Sequence, residues 1–314
     1  MILCVTLNPC LDRTLTVPHW VPGDSVRGTA IREVVGGKGN NVARTLARLG
    51  RLARPVMFIG GPVGSHCATL LREQDNLDAL LVQTEAPTRI ILTVHTDGTP
   101  EQSAFFDPDP PVLPKEAEAL HQRVQECLRE GEVEAITLSG SSPSPATHEL
   151  FSELIALARG AKIPVFLDTY GPALDAIWGF WPDLIQLNRR EAAMHLQKRS
   201  PTDADLRELL TRWAGRGVAC AIVTDGPNPA IARIHGRAFR VHPPKIVSVN
   251  PIGSGDSLLA GLADAWLSGL PPEGFLRHGF ACALANALVW DAGAINLEEV
   301  RRQFEAVEIT LVSD

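Results

Sequence analysis

The chain of 314 residues lacks any apolar run approaching the roughly 20 residues that span a bilayer. Its apolar start, Ile2 to Leu7, stops at Asn8-Pro9 with no basic lead and no small-residue cleavage site, so no signal peptide is read there. The six cysteines (Cys4, Cys10, Cys67, Cys127, Cys220 and Cys282) form no CxxC pair. They are expected to be small buried hydrophobes of a cytoplasmic protein rather than a disulfide framework. There is no HExxH and no Cys/His cluster, which disfavours zinc. No Lys/Arg run occurs, and 29 basic against 36 acidic residues leave a net charge of −7, without the electrostatic footprint of a nucleic-acid binder. A Walker A loop is missing, and the first strand leads into Asn8-Pro9 rather than into the glycine fingerprint of a dinucleotide fold. Internal repeats and low-complexity linkers are also absent.

What is present is an ordinary globular composition, 45% hydrophobic and 21% charged, in a chain long enough to bury a large core. Short apolar runs at Ile2–Leu7, Val56–Ile59, Ala135–Leu138, Val165–Asp168, Leu184–Leu187 and Cys220–Thr224 have the near-continuous apolarity of parallel strands covered on both faces. Helical patterns lie between them. Ser144-Pro145 is expected to open one, carried by Leu150, Leu154 and Leu157 and closed by Gly160. Thr202 and Asp205 make a capping box ahead of Leu206, Leu209, Leu210 and Trp213. This alternation predicts a doubly wound α/β core.

Two stretches, Arg13–Val35 and Arg89–Phe106, read instead as β-hairpin material; the second turns at Asp97-Gly98 between Arg89–His95 and Gln102–Phe106. They are expected to meet as one small sheet beside the core. Its apolar face needs cover, as a lid over a cleft or a dimer contact.

Two glycine-rich turns carry the chemistry. Asn250-Pro251-Ile252-Gly253-Ser254-Gly255-Asp256-Ser257 runs into a helix marked by Leu258, Leu259, Leu262 and Trp266 and ended by Gly269. Its glycines sit at the helix N-terminus, where free N–H groups and the positive dipole end suit an anion. Asp256 there is either a first-turn acid stabilising the dipole or a base for an alcohol proton beside an anion hole, as phosphoryl transfer requires. Gly36-Gly37-Lys38-Gly39-Asn40-Asn41-Val42-Ala43-Arg44 opens a second helix that runs through Leu46 and Leu49 to Gly50. It is either a tight turn or a place where a polyhydroxylated ligand lies against backbone, with Asn41 donating and accepting.

With the opening Thr6-Leu7-Asn8-Pro9-Cys10-Leu11-Asp12, these segments resemble the PfkB (ribokinase-like) carbohydrate kinases, and most closely the branch of 1-phosphofructokinase and tagatose-6-phosphate kinase. The resemblance covers nearly the whole chain, with the motifs in order. It implies a doubly wound, mostly parallel sheet flanked by helices, one domain over 1–314, and a discontinuous β-sheet lid formed by about 13–35 and 87–107. It implies ATP and Mg²⁺ as cofactors, and a ketohexose phosphate, fructose 1-phosphate or tagatose 6-phosphate foremost, as acceptor. A homodimer through the lid is implied too, with no nucleic-acid or membrane partner.

The resemblance also implies residue roles. Asp256 is the catalytic base, and the amides of Gly253, Ser254 and Gly255 form the anion hole. Asp12, Gly37 and Asn41 hold sugar hydroxyls, with Lys38 close to the phosphates. Arg27 and Arg89 face the phosphate already on the sugar, assisted by Ser139 and Ser141; each arginine is otherwise an exposed charge. Asn188 and Glu191 belong to a Mg²⁺-associated motif, although Glu191 alone reads as a first-turn acid. Thr224 and Gly226 lie near the nucleotide phosphates, and Asn286, on a helix expected at Phe280–Val289 with Gly293 beyond it, flanks adenine. The chain departs from the family pattern at Ser142–Thr147, at Asp107-Pro108-Asp109-Pro110 in place of Pro-Gly-Pro, at Tyr170 and at Thr224. These departures lie on the acceptor and nucleotide rims; the phosphotransfer motif is intact, so they bear on the acceptor's identity, a free sugar or nucleoside being the alternative, while the intact Gly253-Ser254-Gly255-Asp256 disfavours the further alternative of a non-catalytic binding protein.

Overall fold

The fold was described from a computed structural model, in which residues 1–99 and 102–312 are described; residues 100 and 101 of the expected lid lie outside them. In chain order the first strands are β1 (Ile2–Thr6), β2 (Cys10–Val17), β3 (Ala30–Gly36), β4 (Ala53–Ile59), β5 (Leu80–Gln83), β6 (Arg89–Thr96) and β7 (Gln102–Phe106). They are followed by β8 (Ala135–Ser139), β9 (Val165–Asp168), β10 (Leu184–Asn188), β11 (Cys220–Asp225), β12 (Asn228–Ile234), β13 (Arg237–His242) and β14 (Glu308–Val312).

Ten strands form one sheet in the order β14-β13-β12-β11-β10-β9-β8-β1-β4-β5. Pairing is parallel from β5 to β11 and antiparallel from β11 to β14. Side chains of β1 alternate between two cores: Ile2 and Cys4 face one, Leu3 and Val5 the other. The first core is covered by the helices Lys38–Arg48, Gly61–Glu73, Ser254–Leu267 and Pro272–Ala287. The second is covered by Pro114–Glu130, Leu150–Gly160 and Asp203–Ala214. Burial on both faces is why these strands read as unbroken apolar runs, and the doubly wound core predicted from them is the fold observed.

The two segments with hairpin character do meet. β2 pairs antiparallel with β3, β6 antiparallel with β7, and β2 parallel with β6, making a four-stranded sheet in the order β3-β2-β6-β7. Arg32 of β3 pairs with Asp291, and the His95 ring of β6 stands edge-on to Trp290 with centroids 5.0 Å apart. These contacts tie the small sheet to the loop beyond the Pro272–Ala287 helix.

Some expectations need correction. Ser144 does not open the α-helix: its hydroxyl bonds the N–H and C=O of Val112, each at 3.1 Å, and only a 3₁₀ turn, Pro145–Thr147, follows before the helix starts at Leu150. The helix expected at Phe280–Val289 is Pro272–Ala287, because Pro271-Pro272 opens it earlier. The Thr202–Asp205 capping box is present in both directions, at 3.2 and 2.8 Å. Cysteines 4, 10, 67, 127, 220 and 282 are all free and buried. Among the described residues no helix is long and apolar enough to cross a membrane.

Candidate active site

Strand carboxyl ends supply one wall of the main cleft. Asn8 follows β1, Ser139-Gly140-Ser141 ends β8, Asp168-Thr169-Tyr170 ends β9, and Asn188 closes β10. In register, Thr6 lies beside Ser139, Ser139 beside Asp168, and Asn188 beside Thr224. This is where ligands bind in open parallel sheets. The small sheet forms the opposite wall, and the cleft between them holds about 430 Å³.

The helix Ser254–Leu267 points its N-terminus into this cleft. Gly253 sits at its N-cap with φ +82°, and a Cβ there would lie 2.6 Å from Ala292 Cβ, so both backbone and space demand glycine. Gly253, Gly255 and Asp256 line the cleft, whereas Ser254 turns its N–H to Pro251 C=O at 3.2 Å and accepts from Asn286 at 3.2 Å through its hydroxyl. Of the three residues expected to form an anion hole, Gly253 and Gly255 thus line the cleft, and Ser254 holds the loop.

Asp256 is buried at the cleft wall and accepts a 2.8 Å hydrogen bond from Asn41 Nδ2. Among the described residues it has no ion pair within 4 Å, so its second oxygen is left for a ligand. Burial pushes its carboxyl up to about 7; nearby Asp168 and Glu191 add to this, against Lys38 and Asn41. A carboxylate poised near neutrality is suited to taking an alcohol proton.

Asn41 is itself held. It lies in the first turn of the Lys38–Arg48 helix, preceded by Gly37 at φ +105° with a prospective Cβ only 2.7 Å from Thr6 Cγ2. Buried Arg44 donates to Asn41 Oδ1 at 3.0 Å, to Ala292 C=O at 2.7 Å and to Val35 C=O at 3.1 Å, and forks onto Asp75 with two 2.8 Å bonds.

Lys38 gathers the acidic side of the cleft. Its ammonium is 2.8 Å from Asp168 Oδ1 and 3.2 Å from Glu191 Oε1, and 5.5 Å from the Tyr170 ring centroid. Burial opposes its charge, but Asp168, Glu191 and Asp256 prevail and hold its pKa well above the usual lysine range. Glu191 is pushed up by burial and by Asp168. It also closes a capping box: Asn188 Oδ1 accepts from Glu191 N, and Glu191 Oε2 accepts from Asn188 N, each at 2.9 Å.

Other expected residues divide in two. Asp12, Arg89 and Ser141 line the cleft with Gly37, Lys38, Asn41, Asn188 and Glu191. Asp12, raised by burial, accepts from the Cys10 thiol at 3.4 Å. Ser139 lies one level deeper, fully buried. Arg27 lies exposed in the β2–β3 connection and does not line the cleft. Thr224, near the end of β11 beside Asn188, and Gly226, in the β11–β12 turn, lie outside the cleft lining. Asn286 does not reach it either: its amide bonds Ile252 C=O at 2.8 Å, the Ser254 hydroxyl and Gly293 N–H at 2.8 Å, so it pins two loops. The sequence reading had left out Asn8, Asp168, Arg44 and the Trp290–Ala292 loop. Of these, only Asp168, a carboxylate ending a predicted parallel strand, carried a usable signal.

Residues 5–300 match the model of the pfkB family carbohydrate kinase. The chain is similar, over 97% of its length and 98% of the other's, to phosphofructokinase-2 from Escherichia coli in complex with fructose-6-phosphate, at 26% identity and a TM-score of 0.84. It shares its fold with a possible 1-phosphofructokinase from Thermotoga maritima, covering 100% of both chains at 22% identity and a TM-score of 0.88. A carbohydrate kinase from Agrobacterium tumefaciens also shares the fold, covering 98% of this chain and 99% of that one at 22% identity and a TM-score of 0.74.

Proposed function

Because this chain belongs to the pfkB family of carbohydrate kinases, we propose that it moves the γ-phosphate of ATP to a hydroxyl of a ketohexose phosphate, with fructose 1-phosphate or tagatose 6-phosphate as the leading acceptors. The observation that carries this reading is Asp256. A buried carboxylate with one oxygen free stands at a glycine-lined helix start, beside amides able to receive a charged phosphoryl group.

Asp256 takes the proton of the attacking hydroxyl, oriented by Asn41. The helix start at Gly253 and Gly255 faces the charge that develops on the transferring group. Asp12 and Asn41 present acceptors and donors to sugar hydroxyls, Arg89 meets the acceptor's phosphate, and Lys38 sits between the carboxylates and the transferring phosphates. Asn188, Thr224 and Gly226 border the nucleotide.

The donor set fits Mg²⁺ shared with phosphates and water rather than caged by protein. Both Glu191 oxygens already have partners, and among the described residues no group of three or more His, Cys, Asp or Glu is placed to hold a metal. Asp168 and Glu191 would hold it through its waters. When bound, Mg²⁺ neutralises charge on the β- and γ-phosphates. The small sheet acts as a lid excluding water, and the exposed Ile31 and Phe105, which alternate with cleft-lining residues and so lie on its other face, serve as the contact of a homodimer.

The test is ADP release with Mg-ATP across free and phosphorylated ketohexoses, fructose-6-phosphate included. Turnover confined to unphosphorylated sugars or nucleosides would replace the acceptor assignment, and absence of ADP release with every acceptor would indicate a non-catalytic binding protein.

A further inference from the structure

At the acceptor end of the cleft, Arg89 begins β6 with its guanidinium largely enclosed. One terminal nitrogen donates to Asn8 C=O at 3.2 Å, and the other lies 3.2 Å from Asp109 Oδ1. Among the described residues its buried Nε has no partner. Asn8 Nδ2 also donates to Asp109 Oδ1, at 2.8 Å, and to the Ser141 hydroxyl at 3.0 Å. The buried Ser139 hydroxyl, two residues before Ser141, also has no partner among the described residues.

Unmade hydrogen bonds of buried donors are costly, so this arrangement calls for an anion. Arg89, with Nε idle and one terminal nitrogen on a side chain, has the fork geometry for a phosphate. Yet the anion now on it comes from the chain itself. Asp109 is half exposed, on the proline-flanked segment after β7, and does not line the cleft; its carboxylate reaches in only as far as Arg89 and Asn8.

Resting on the sugar-phosphate reading above, we propose that Asp109 sets this kinase's acceptor specificity. Its carboxylate occupies the acceptor-phosphate position on Arg89 and Asn8, and a phosphorylated ketohexose binds by displacing it. Two donors released by one carboxylate then meet the phosphate, and the displaced Asp109 moves into solvent, which its exposure allows. The pair sets a threshold that a dianionic phosphate overcomes and a neutral hydroxyl does not. It also makes sugar-phosphate binding weaker than Arg89 alone would allow, because displacement and like-charge repulsion both oppose it.

Asp109→Asn keeps the shape and removes the charge, whereas Asp109→Gly removes both. The expected result is a KM for the phosphorylated acceptor lowered about tenfold or more in both variants. KM for ATP and kcat should stay within a few-fold, and KM for free fructose should fall as well, because the threshold that kept a neutral hydroxyl off Arg89 and Asn8 is gone. An unchanged or raised sugar-phosphate KM, or equal shifts for ATP and sugar, overturns the proposal while leaving the kinase assignment standing. If parent and both variants turn over free sugars but no phosphorylated one, the acceptor reading fails and Asp109 loses this role with it.

Discussion

Asn41 presents its amide N–H to Asp256 at 2.8 Å because Arg44 claims the carboxamide oxygen on the other side at 3.0 Å. A rotated carboxamide would face an N–H toward a guanidinium and an oxygen toward a carboxylate, so only one orientation of Asn41 is tenable. The Asp256 carboxyl is thus aligned from Asp75, across the Lys38–Arg48 helix, by a chain of charge-assisted bonds.

Arg44→Lys should break this chain. Lysine cannot fork onto Asp75 or reach Asn41, Ala292 and Val35 together. Urea unfolding should show a loss of about 1–3 kcal/mol, the cost of leaving buried acceptors unsatisfied while Asp75 keeps a cation nearby. Stability equal to the parent's would show that the network carries no weight.

Asp256→Asn should lower kcat by roughly 10²–10⁴, the usual range for a general base, with KM for ATP changed only a few-fold. Retention of near-parental kcat removes Asp256 from the base role.

The same carboxyl predicts pH effects of definite sign. Its pKa is raised from 3.8 to about 7 by burial, so the base is ionised only above that range, and kcat/KM should fall as pH drops below 7. Folding disfavours the ionised form, so Asp256 costs stability progressively as pH rises from 4 to 7. Asp256→Asn should therefore raise Tm more at pH 8 than at pH 5. Lys38→Met deletes the cation that favours ionisation, and should move the acidic limb of the rate profile upward.

Gly253→Ala places a methyl 2.6 Å from Ala292 Cβ at a φ of +82°. A cost of at least 1–2 kcal/mol is expected from the backbone alone, with kcat reduced as the helix start shifts. Thermal unfolding and steady-state kinetics on one preparation separate the two effects.

Paired substitutions Ile31→Asp and Phe105→Asp on the exposed face of the small sheet should yield monomers in sedimentation velocity if that face joins two copies. Unchanged oligomeric state would place any assembly elsewhere.

Legibility followed burial. β1, β8, β9, β10 and β11 were readable because packing on both faces writes unbroken apolar runs into the sequence. The antiparallel extension escaped notice. β12 carries Pro229 near its start, β13 alternates with arginines, and β14 is a mostly exposed edge strand. The glycine-rich helix starts were legible because positive φ and close approach admit little else at Gly37 and Gly253. Arg44, Asn8 and Trp290 were not, since their roles arise from contacts across 30 to 250 residues of chain that no local pattern encodes.

β2 and β6, which join the two halves of the small sheet, come from segments more than 70 residues apart, separated by β4, β5 and two helices of the main layer. Their ladder has nowhere to nucleate until that intervening chain has condensed, since closing so long a loop is entropically costly without the core contacts. The cleft's second wall therefore depends on the large layer to hold its two halves together.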